Sequence, residues 1–140
     1  MFSTSKNNLL FFYEDINRLE INNKNENINN LNTILNTLAK KLAQKNIKLI
    51  VLPCPDKFDY YYNQIIEKNR YPRPIFFDYL RTLKKDYIYI DSKKILQEKT
   101  KNLKDVYFYD DTHWSPIAAK IIANDILKEI STVNKKNLIN

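Results

Sequence analysis

Apolar and polar positions along the chain follow two periods. Apolar runs of strand length stand at residues 9–13, 47–52, 87–90 and 106–109, and between them apolar residues return every three or four positions. Residues 7–15 predict a short apolar strand ending in Glu14 and Asp15. Residues 22–32 contain seven Asn in eleven positions and predict a polar loop. Leu31, Ile34, Leu35, Leu38 and Leu42 then recur at helical spacing, with Ala39 and Ala43 beside them. They predict an amphipathic helix buried along that stripe. After a turn at Asn46, residues 47–52 have the β-branched, nearly all-apolar character of a strand covered on both faces. Pro53-Cys54-Pro55 ends it, because Pro removes a ladder donor.

Asp56 stands where a helix N-cap would be, ahead of a helix over 57–68. A Pro-punctuated stretch leads to another helical pattern over 75–84. Residues 87–91 and 106–110 predict two further strands, each ending in Asp. Ile117, Ile121, Ile122, Ile126 and Ile130 mark a last helix, with Ser115 as its N-cap and Pro116 in first position. Residues 132–140 predict a polar, frayed tail. Strands alternating with helices predict an α/β layered fold with a largely parallel sheet. Function in such sheets gathers beyond the carboxyl ends of strands, where Asp56, Asp91, Asp110, Asp111 and His113 all fall.

At 140 residues there is room for one domain, taken as 1–131, followed by the tail. A hydrophobic share of 44% is that of a folded protein. The net charge of +7 is spread along the chain without a dense basic block, so nucleic acid is not an expected partner. Glycine is absent, which excludes phosphate-cradling loops, dinucleotide fingerprints and the nucleophile elbow in their usual forms. The single cysteine, Cys54, excludes an internal disulfide and a Cys-based zinc cluster, and a buried, inert thiol is expected of it. No targeting or membrane-spanning segment is visible, so the chain as written would remain in the cytoplasm.

The candidate chemistry lies in Asp110-Asp111-Thr112-His113-Trp114-Ser115-Pro116, which holds the only histidine and the only tryptophan. A carboxylate two residues before a histidine can fix one imidazole tautomer, leaving the other nitrogen to accept a proton. Asp111 is the first choice of partner and Asp110 the rival. The plainer alternative is a structural His113 tying a strand end to a helix start. Trp114 is either the wall of a sugar or acyl pocket or an anchor for the last helix. Lys57 is a candidate for a substrate pocket or an ordinary solvated lysine. The aromatic run over 58–62 fits core packing better than a sugar platform. Asp110, Asp111 and His113 make weak metal ligands, and neither metal nor cofactor is expected.

Three blocks resemble the SGNH-hydrolase-like domain of the alginate O-acetyltransferases AlgJ and AlgX. They are Leu10-Phe11-Phe12-Tyr13-Glu14-Asp15, the segment from Leu49 through Pro53-Cys54-Pro55-Asp56 to Lys57, and the stretch from Val106 to Pro116 with its Asp-Thr-His-Trp signature. The resemblance implies a three-layer, flavodoxin-like fold, polysaccharide acetylation, Asp111 as orienting acid and His113 as general base. It also implies work outside the cytoplasm beside an acetyl-donating membrane protein. The family's serine follows in a Gly-Asp-Ser block, which this sequence lacks. The domain is therefore expected to be incomplete, inactive alone and prone to self-association along an open strand edge. Of the serines present, Ser92 is geometrically conceivable as a nucleophile, Ser115 is better placed as a cap, and Ser3 and Ser5 lie in a terminal stretch. The competing expectations are a non-catalytic module binding acidic polysaccharide or a protein, and a degenerate gene fragment.

Overall fold

The computed structural model describes residues 2–4 and 10–137, with side chains through residue 133. Its helices are α1 (Tyr13–Asn17), α2 (Leu19–Asn22), α3 (Asn25–Ala43), α4 (Lys57–Tyr61), α5 (Phe76–Thr82), α6 (Ser92–Lys99) and α7 (Pro116–Asn137). Strands β1 (Ile50–Val51) and β2 (Ile88–Tyr89) pair in parallel, Ile50 opposite Ile88 and Val51 opposite Tyr89. The molecule is thus mixed α/β with a small parallel pair joined by a helical crossover, the connection parallel strands require.

Two predicted strands do not form. Residues 7–9 lie outside the described residues, and Tyr13, Glu14 and Asp15 belong to α1. Residues 106–110 make only an isolated antiparallel bridge, Tyr107 to Trp114, closing a loop on itself. The Asn-rich stretch is helical from Asn25 onward. Asn29, Asn32 and Asn36 recur on one face and bond Tyr79, Tyr87 and the 84–86 turn, so packed partners replace the water that a loop would offer.

That polar ladder also turns α3. Ile28, Asn32 and Ala39 face inward, whereas Leu31, Ile34 and Leu38 of the predicted buried stripe are exposed. In α7 the innermost residues are Ala118 and Ile122, while Ile117 and Ile130 face outward. The α7 helix runs through Thr132 to Asn137, across residues predicted as a polar tail. The helix predicted over 57–68 stops as α-helix at Tyr61 and continues as separate 3-10 turns. The α6 helix, capped when the Asp91 carboxylate accepts the Lys94 amide, had no counterpart in the sequence pattern.

Tyr60, Tyr61, Leu96, Val106, Tyr107, Ala118 and Ile122 form the main core, and Leu19, Phe58 and Tyr62 a second cluster, with Phe11 touching both. The aromatic run of α4 is therefore core rather than a sugar platform. With no glycine available, Asn46 and Asp105 take the left-handed turns, at φ 58° and 55°. Among the described residues no helix is long and apolar enough to cross a membrane.

Candidate active site

The loop between Tyr107 and Trp114 is pinned at its base and folded by its own side chains at its tip. At the base the Phe108 amide donates to the His113 carbonyl at 3.1 Å and the Ser115 amide to Val106 at 2.8 Å. The buried Tyr107 hydroxyl donates to the Pro55 carbonyl at 2.5 Å, tying the loop to the segment that leaves β1. At the tip, Asp111 makes an Asx turn: its Oδ1 accepts the His113 amide at 2.9 Å. The same oxygen lies 2.5 Å from His113 Nδ1. The two-residue spacing explains both contacts, since the turn that captures the backbone amide brings the ring over the same carboxylate.

Asp111, not Asp110, is the imidazole's partner. The His113 amide first, and the ring second, hold the Asp111 carboxyl below its ordinary range. With Nδ1 engaged, Nε2 is the ring nitrogen left open. It opens onto solvent, because the side chains of His113 and Asp111 are 77% and 51% exposed. None of the described cavities is lined by either residue.

The two residues expected to line a substrate pocket stand elsewhere. Trp114 is half-buried and packs against the main core beside the start of α7, as an anchor would. Lys57 is 0% exposed, so it is neither a solvated lysine nor a group open to substrate. Its Nζ donates to the Tyr109 carbonyl at 2.6 Å and the Asp111 carbonyl at 3.1 Å, with the rings of Phe2 and Phe11 over it. Desolvation pushes its pKa down, and the Asp110 and Asp111 charges act against that.

Among the described residues no serine hydroxyl bonds His113. Ser92 is fully buried and its hydroxyl donates to the Pro53 carbonyl. The Ser115 hydroxyl is buried without a hydrogen-bond partner, so the expected side-chain cap of α7 is not made, although Pro116 does open the helix. Ser131 bonds the Leu127 carbonyl within α7, and Ser5 lies outside the described residues. Ser3 is described, and its backbone amide donates to Asp105 Oδ1 at 2.9 Å. Among the described residues no three His, Cys, Asp or Glu side chains are grouped to hold a metal ion.

A separate cavity of about 240 Å³ lies where β1 ends, lined by Cys54, Asp56, Phe76 and Phe77 among others. Cys54 is exposed, not buried as the sequence suggested, and desolvation raises its thiol pKa, which works against a reactive thiolate. Asp56 caps α4 by accepting the Asp59 amide at 2.6 Å. Burial nevertheless pushes its carboxyl up to about 7, with Asp15 and Asp59 adding to the rise.

A mixed α/β chain that displays an acid-steered imidazole on the loop leading into its last helix has the features of an SGNH-type hydrolase or acyltransferase domain. A family model described as SGNH hydrolase-like domain, acetyltransferase AlgX, matches residues 5–139, and the chain belongs to that family. No curated protein and no solved structure matches it.

The sequence singled out the Asp111–His113 couple through its spacing. It did not reveal the part played by Lys57, because a lysine near a helix start carries no pattern that separates burial from solvation. The signal that could have raised it is the aromatic-rich surrounding of Phe11 and Phe58, which can cover an ammonium.

Proposed function

We propose that Asp111 and His113 form the base half of an acyl-transfer site of the polysaccharide O-acetyltransferase kind, and that this chain alone does not turn over an acyl ester. The observation that carries the first part is the 2.5 Å contact between Asp111 Oδ1 and His113 Nδ1, which leaves Nε2 to take a proton from a hydroxyl. Membership in the AlgX acetyltransferase family supports the reaction class. The second part rests on the serines. Ser92 and Ser115 are buried, and Ser131 is bonded within α7. An imidazole in open solvent with no hydroxyl bonded to it among the described residues lacks the constellation on which such catalysis depends.

Hydrolysis of p-nitrophenyl acetate by the purified chain tests this. The wild type and His113→Ala are expected to release nitrophenol at the same background rate. A wild-type rate ten or more times that of His113→Ala, roughly 1.4 kcal/mol of barrier, would place a working nucleophile in the chain.

A second reading is a non-catalytic module that binds an acidic glycan, for which the net charge of +7 is the supporting observation. Its expected signature is saturable binding to alginate that weakens as salt rises, since exposed charge pairs are screened within about 10 Å at 0.1 M. Absence of binding at low salt would remove it.

A further inference from the structure

We infer that Lys57 is the positioning residue of the Asp111–His113 couple, acting through the backbone of the loop and never touching substrate. This rests on the acyl-transfer proposal for the couple. The argument starts from the cost of the arrangement. An ammonium taken fully out of water is strongly disfavoured unless its protons are bonded. Here two carbonyls take two of the three, and both belong to the loop that carries the acid: Tyr109 on one side of Asp110, and Asp111 itself. The Phe2 and Phe11 rings lie 5.5 and 5.8 Å from Nζ and complete the enclosure. Lys57 is also the first residue of α4, whose aromatic side chains are core, so the lysine is anchored on a buried helix.

The consequence concerns the tip. Turning the Tyr109 and Asp111 carbonyls inward toward one nitrogen fixes the peptide plane before Asp110 and the one after Asp111. That sends the Asp111 side chain outward, where its Oδ1 meets both the His113 amide and ring. An Asx turn in a solvent-facing loop is weak by itself. Lys57 supplies the anchorage that such a turn lacks, and supplies it at the one residue whose carboxylate steers the imidazole. A lysine in contact with substrate would need its ammonium in a cavity, and none of the described cavities is lined by Lys57.

Hydrogen exchange of the His113 amide reads the couple directly, because that amide donates to Asp111 Oδ1. Four proteins are compared: wild type, Lys57→Arg, Lys57→Met and Asp111→Ala. Wild-type protection is expected to fade as pH falls and Asp111 is protonated. In Lys57→Met it falls about tenfold and loses this pH profile, while the amides of Leu96 and Ile122 in the core keep theirs. Lys57→Arg, which retains a donor fork, keeps most of the protection and the profile. Unchanged protection and profile in Lys57→Met, with Asp111→Ala reducing them, would overturn the role of Lys57 alone. Unchanged protection in Asp111→Ala, which removes the acceptor, would instead overturn the Asp111–His113 couple. Should Lys57→Met fail to fold, acetic anhydride labelling of the native wild type decides: Lys57 is expected to stay unmodified under conditions that label exposed lysines. Labelling at their rate would overturn the enclosure.

Discussion

At the scale of single residues, the molecule places one carboxylate in water with bonds and another out of water with few. Asp111 is exposed, and its acidity is increased by donors from His113. Asp56 caps α4 but is desolvated, and its carboxyl titrates near 7 instead of 3.8. The sign of the resulting pH effect follows from proton counting. Between about pH 4 and 7 the folded chain keeps a proton on Asp56 that the unfolded chain has released, so stability falls as pH rises through this range. Below it neither state is charged, and above it the loss is complete. Asp56→Asn keeps an acceptor for the Asp59 amide and removes the titration. Relative to wild type, the variant should gain on the order of 2 kcal/mol between pH 4 and pH 8. Urea unfolding at both pH values measures this. A constant difference between the two proteins would mean that Asp56 is not desolvated. Burial also pushes up the neighbouring Asp59 carboxyl, against the opposing pull of its 2.5 Å ion pair with Lys93, so it adds a loss of the same sign that both proteins share.

At the scale of elements, α3 shows how far the hydrophobic pattern can be trusted. The leucine and isoleucine stripe predicted a buried face, and the helix is there. Its orientation, however, is set by amide side chains. Asn32 donates to the Lys84 carbonyl and accepts the Tyr87 hydroxyl, both at spacings the pattern could not weigh because their partners lie some fifty residues away in sequence. Two substitutions separate the alternatives. Asn32→Ala should cost about 1–3 kcal/mol, because it strands the Tyr87 hydroxyl inside the protein. Ile34→Glu, at a position 65% exposed, should stay within about 0.5 kcal/mol of wild type. Thermal unfolding gives both values, and a large loss from Ile34→Glu would restore the stripe as the buried face. The strands were legible where they pair: both residues of β1 and of β2 lie inside predicted strands. The run over 106–110 has strand composition but bridges only to Trp114, because the loop turns back and spends its backbone groups on itself. The α6 helix was not legible, since Lys94, Gln97 and Glu98 interrupt any long apolar period; what starts it is the Asp91 cap.

At the scale of the whole molecule, the α/β class, the parallel pair, the Asp56 cap and the Asp111–His113 contact were all readable before any coordinates. The cap and the contact depend on residues close together in sequence, and the class and parallel sense on the alternation of strand and helix patterns; the register of Ile50 opposite Ile88 was not legible. The burial of Lys57, the bond from Tyr107 to Pro55 and the enclosure of Ser92 were not, because each joins segments separated by 39 or more positions. The arrangement that results is one-sided. A pinned, lysine-anchored loop holds acid and imidazole together, while Ser92 and Ser115 are packed away. The measurement that bears most directly on this account is the nitrogen chemical shifts of the sole imidazole, read above its titration in wild type and in Asp111→Asn. The account predicts a wild-type ring protonated on Nδ1, with Nε2 bare, and a shift toward the Nε2-protonated form when the carboxylate is replaced. A wild-type ring already protonated on Nε2, or one indifferent to Asp111→Asn, would contradict it.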